Sequence, residues 1–116
     1  MTIDTLKHEE KIPVVVADEQ GFIMYVNKCF EKIFEWRSEE IIGQSLTVII
    51  PKHLRDAHHL GFSRFLTTGI STLLNRPLKL NAVTKIGREF QAEHVIVAEA
   101  SSGHWTFAAS IKPLDS

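Results

Sequence analysis

LLNRPLKLNAVTKIGREFQAEHVIVAEASSGHWTFAASI, residues 73–111, decides the fold, because its apolar residues recur every second position over three successive runs. In the first run, 73–84, Leu74, Arg76, Leu78, Leu80 and Ala82 share one face, opposite Asn75, Lys79 and Asn81. In the second, 89–99, Phe90, Ala92, His94, Ile96 and Ala98 alternate with Glu89, Gln91 and Glu93. In the third, Trp105, Phe107, Ala109 and Ile111 line one side before Pro113. Lys85-Ile86-Gly87-Arg88 and Ser101-Ser102-Gly103 supply the turns. A three-stranded antiparallel meander follows, with one apolar face that other elements must cover.

The cover lies upstream in PKHLRDAHHLGFSRFLTTG, residues 51–69, where the period changes to helical. Pro51 suits a first helical turn and Gly69 a left-handed helix end. At roughly 100° per residue, Leu54, His58, Gly61, Phe62 and Phe65 fall in one stripe, with Arg55, His59 and Arg64 on its flanks. His58 therefore faces the core and His59 does not. Further upstream, the β-branched run at 12–17, the turn residues Asp18-Glu19-Gln20-Gly21 and the run at 22–26 predict a hairpin. Asn27 is an N-cap for a helix carrying Phe30, Ile33 and Phe34, Trp36 is an apolar plug, and Ser38 to Gly43 is a second short helical turn. Residues 2–11 read as either a short amphipathic helix or a frayed arm. Hairpin, short helices, long helix and meander together predict an α+β fold, a five-stranded antiparallel sheet with helices over one face. The boundaries are 1–11 for the arm or cap helix, 12–112 for the domain and 113–116 for an exit segment.

Composition narrows the function. With 116 residues, 44% of them apolar and 23% charged, the chain is the size of one globular domain. A formal charge of -1 without a basic run argues against nucleic acid and anionic membranes, both of which need a concentrated positive face. The single cysteine, Cys29, cannot form an internal disulfide, and neither a membrane span nor a signal pattern is present, so a cytoplasmic setting is expected.

Over 12–111 the chain resembles a PAS sensor domain. The resemblance rests on Val15-Val16-Ala17-Asp18 with Gly21, Tyr25-Val26-Asn27 with Phe30 and Phe34, Glu40-Ile41-Ile42-Gly43-Gln44 leading to Ile50-Pro51, and Gly87-Arg88-Glu89-Phe90. Ile86 departs from the aspartate common before that last glycine. Within the family, Leu54-Arg55-Asp56-Ala57-His58 followed by Phe62, Arg64 and Phe65 resembles the haem-binding subgroup of bacterial oxygen-sensing kinases and phosphodiesterases. That resemblance implies b-type haem with His58 as proximal ligand. It aligns Arg76 with a distal arginine that donates to bound oxygen, and Leu74 with a distal methionine ligand of one member.

The residues leave two readings open at His58. A neutral imidazole in an apolar pocket ligates iron when its other nitrogen finds an acceptor, and Phe62, Phe65, Leu74, Leu78, Ile96, Phe107 and Ile111 would wall such a pocket. Alternatively it is a core histidine bonded to backbone or buried water. Arg76 either meets a haem propionate or bound diatomic, or snorkels to solvent. Among the six histidines, no pair has the spacing and company of a zinc site. Flavin-photoadduct chemistry needs a cysteine in the stretch 46–51, which has none. No base is paired with Ser63 or Ser71 and no phosphate loop is present, so no turnover is expected. The functional expectation is a haem-binding sensor of a diatomic gas or redox state. The alternative is a haem-free interaction module, either a dimerisation unit or one that accepts a small apolar ligand, and a homodimer could form through Ile3 and Leu6 of the arm.

Overall fold

The computed structural model describes residues 2–60 and 74–114. Its first hairpin joins Val14–Asp18 (β1) to Ile23–Val26 (β2), each one residue shorter than the expected run, with β1 displaced toward the turn. The Asp18 carboxylate closes that turn by accepting from the Gln20 and Phe22 backbone N–H groups at 2.9 and 3.0 Å. Gly21 takes a φ of 85° there, a conformation costly for residues with a Cβ.

Asn27 then ties the hairpin to the helical layer. Its side-chain oxygen accepts from Phe30 N–H at 2.9 Å, capping the helix Lys28–Phe34 (α2), and from Val14 N–H at 3.0 Å. Its side-chain nitrogen donates to the carbonyls of Glu9 and Ile12, each at 2.9 Å. All of this polar capacity is satisfied at 6% exposure, so one buried amide fixes the chain entry, β1 and α2 together. Ser38–Ile41 (α3) follows, with the Glu40 side chain accepting from Arg37 N–H. Two 3₁₀ turns, Leu46–Ile49 and Lys52–Leu54, lead into the helical residues 55–60.

Leu78–Val83 (β3), Glu89–Ser101 (β4) and His104–Pro113 (β5) form the meander. The five strands run in the order β2-β1-β5-β4-β3, every pair antiparallel. Ser102 and Gly103, with φ of 52° and 79°, make the two-residue turn of the β4–β5 hairpin, in which Ser101 faces His104. Register puts Leu78, His94 and Ile111 in one rung, Ile96 beside Ala109, and Ala98 beside Phe107, the faces the alternation predicts.

The first run is corrected at its start. β3 begins at Leu78, so Leu74 and Arg76 are not on the strand: Leu74 and Asn75 occupy a turn and Arg76 is exposed at a bend. Asn75 adopts a φ of 61°, which asparagine tolerates in turns, and Pro77 lacks the donor a ladder needs. Asn-Arg-Pro is turn chemistry that happened to keep the alternation.

Inside, Val15, Ile23, Val26, Phe30, Phe34, Ile41, Ile49, Ala82, Ala92 and Ile111 make the main core. Phe30 and Phe34 stack at 4.2 Å between ring centroids, and Phe90 meets Phe34 edge-on at 5.3 Å. The other sheet face is covered by Ile3–Lys7 (α1), the helical choice for the arm. Ile3 and Leu6, 6% and 4% exposed, pack there on Val14, Val16, Val97 and Ala108. The Glu99 carboxylate accepts from Ile3 N–H at 2.9 Å. These two side chains, expected as a possible pairing contact, are buried within their own chain by β-branched and small residues on the outer strand face.

Candidate functional site

The inner sheet face divides along its length. Toward α2 it is closed by Phe30, Phe34 and Ile41, each 0% exposed. Toward the far end, Leu78, His94, Ile96, Ala98, Trp105 and Phe107 are only half-buried. Ile111, 1% exposed and paired with His94, stands at the boundary.

His58 lies on the helical segment 55–60, half-buried beside an exposed His59, their ring centroids 5.9 Å apart. Successive residues on a helix diverge by about 100°, which puts one imidazole toward the protein and the next toward solvent. Burial pushes the His58 pKa below the ordinary histidine value, and His59 acts in the same direction. The ring is held neutral near pH 7, the state in which an imidazole nitrogen can bind a metal. Arg55 anchors the entry to this segment through its Nε, which donates to the Ile50 carbonyl at 3.0 Å.

His94 sits on the sheet side. Its Nε2 is buried with no hydrogen-bond partner, a condition shared among the described residues only with Trp36 Nε1. Burial pushes its pKa down, and a hydrogen bond with the Leu80 backbone opposes this. Alternation places His94 on the inner face but assigns it no role; the signal was a histidine where the neighbouring rung positions are Leu78 and Ile111. Of the other expected wall residues, Leu78, Ile96 and Phe107 share this half-buried end, and Leu74 is half-buried in the turn before β3. Phe62 and Phe65 lie outside the described residues. Arg76 is exposed at the same end, where a cation suits a carboxylate at a pocket rim better than a small buried ligand.

Burial pushes the Cys29 thiol up, which favours its protonated form on α2. Among the described residues, no three His, Cys, Asp or Glu side chains converge to hold a metal ion. A haem iron needs fewer protein ligands, since the macrocycle supplies four nitrogens.

The strand order β2-β1-β5-β4-β3, with a helical layer closing the inner face, defines the class of fold, an α+β antiparallel sheet domain. The family model for the PAS fold matches residues 4–97, and the chain belongs to that family. It is 35% identical over 102 residues to an uncharacterised protein of Azorhizobium caulinodans, covering 87% of this chain and 14% of that protein. It is 27% identical over 90 residues to the sensor protein FixL of Bradyrhizobium diazoefficiens, covering 78% of this chain and 18% of FixL. A shorter match, 36% over 44 residues, links 38% of this chain to 6% of the Escherichia coli oxygen sensor protein DosP. The chain therefore spans only a small part of the length of these relatives. Among solved structures, a PAS domain from a two-component sensor histidine kinase superposes with a TM-score of 0.73 at 14% identity, covering 95% of this chain and 91% of that one. A PAS domain of an HTR-like protein from Haloarcula marismortui reaches 0.74 at 18% identity, covering 97% and 88%. At such identities these two speak for the fold alone.

Proposed function

We propose that this PAS domain is a haem-based sensor in which His58 is the proximal ligand and a diatomic gas or a redox change is the signal. The observation that carries it is the His58 ring: half-buried, held neutral by burial, on the helical segment, while His59 is exposed. The likeness to a sensor protein and to an oxygen sensor supports the same reading. The chain's chemistry suits the group, with a neutral nitrogen donor on the helix and apolar Leu78, Ile96 and Phe107 on the strands for a flat macrocycle.

Haem, when bound, supplies an iron centre to which small gases bind. The chain's own tasks are to orient the His58 ring, keep water away through the β4 and β5 side chains, and meet the macrocycle's carboxylates at the rim, where Arg76 is a candidate. A change at the site would reach the flanking segments through the β4–β5 ladder, whose far side carries α1. No step here is catalytic; the domain would work as a cytoplasmic signalling module attached to, or paired with, an output partner. Among the described residues no helix is long and apolar enough to cross a membrane.

Titrating the purified chain with haemin and recording its absorption spectrum tests this. A saturable Soret band at one haem per chain is expected. A protein that stays folded and colourless favours the haem-free interaction module instead.

A further inference from the structure

The buried, unpartnered Nε2 of His94 is the feature of the inner face that core packing does not explain. A buried nitrogen without a partner costs about 1–3 kcal/mol, so a leucine would serve the packing better at this position. Its place in the fold is specific. The crossover carrying His58 is tied to one end of the β3–β4 ladder, where His53 Nε2 lies 3.9 Å from the Glu89 carboxylate. It rejoins the sheet at the other end, where Asn75 N–H donates to the Ile96 carbonyl at 2.8 Å. His94 lies on β4 between those two anchors, on the face the helical layer covers.

A neutral imidazole carries its proton on one nitrogen and a lone pair on the other. With the lone pair on Nε2, which is buried without a partner, that nitrogen cannot donate a hydrogen bond to a bound gas, but it can coordinate iron.

We propose that His94 Nε2 is a second, sheet-side ligand for the haem held by His58, so that an external gas binds only by displacing it. The proposal rests on the haem reading above. It makes the domain a competition device: the apparent affinity for gas is lowered by the fraction of time His94 is engaged, and the released strand is the moving part.

The test uses the full chain loaded with haemin, as wild type, His94→Leu and His94→Gln, with circular dichroism to verify that each is folded. Wild type is expected to be six-coordinate and low-spin by absorption and electron paramagnetic resonance. Both variants are expected to keep the haem and become five-coordinate and high-spin. Carbon monoxide association with the reduced protein should quicken by about tenfold if His94 is engaged nine-tenths of the time. A wild type that takes up haem yet matches both variants in spin state and association rate overturns the role of His94 and leaves His58 standing. A wild type that takes up no haem overturns both.

Discussion

The two ends of the inner sheet face are built from similar residues and are finished differently. Near α2, Phe30 and Phe34 stack and vanish from solvent, with Ala82, Ala92 and Ile111 leaving room for them. At the other end the strands carry equally large side chains, Leu78, Ile96, Trp105 and Phe107, that remain half-buried, with a histidine among them. A core whose only purpose was stability would finish both ends alike. The contrast separates a closed half, on which stability rests most, from a half-buried one, where the proposed ligand would lie.

Substitutions should separate the halves, beginning with the largest effect. Phe34→Ala is expected to cost about 4 kcal/mol in urea unfolding, whereas Phe107→Ala, starting from partial exposure, should cost about 2 kcal/mol. Equal losses would erase the distinction. Asn27→Ala should follow at about 3 kcal/mol, because it strands the N–H groups of Val14 and Phe30 and the carbonyls of Glu9 and Ile12; a loss below about 1 kcal/mol would mean that water replaces the amide at little cost. His94→Leu should leave the haem-free protein within about 1 kcal/mol of wild type, or more stable, since it removes an unpaired buried nitrogen. A large drop in melting temperature would show that this ring is a packed structural element.

The smallest effect lies outside both halves. The Glu40 carboxyl is held below its ordinary value of 4.5, first by the Lys85 ammonium 2.7 Å away and then by the Arg37 N–H. A carboxyl with a depressed folded pKa contributes stability that is complete above the unfolded value and is lost as pH falls through the folded one. Lys85→Met should therefore lower stability slightly near neutrality and flatten its fall below pH 4.5, so that variant and wild type converge in acid. An unaltered acid limb in melting experiments would dismiss the pair as energetically idle.

Much of this was legible in the sequence because period-two alternation is a direct imprint of a sheet with two unlike faces. Phe90, Ala92, His94, Ile96 and Ala98 share a face in the chain as they do in the alternation, and Asn27 caps α2 as its position before Phe30 implies. Leu74 and Arg76 misled because a turn through Asn75 and Pro77 preserves the same parity for two more residues. The docking of α1 was ambiguous for a different reason. Whether Ile3 and Leu6 fray or pack depends on Val14, Val16, Val97 and Ala108 meeting on the outer face, which only the strand order assembles. The left-handed Glu35 that ends α2 had no glycine or asparagine to announce it. At the site, inward direction was readable for both His58 and His94, but the absence of a partner on Nε2 is a property of the fold.

The most direct test of the central claim is the Soret absorption of haemin-loaded His58→Ala compared with that of His59→Ala. The account predicts that the first variant loses the specific band, or shifts it with a large fall in haem affinity, while the second keeps the wild-type spectrum. Equal spectra in the two variants, or loss of the band in His59→Ala alone, would contradict it.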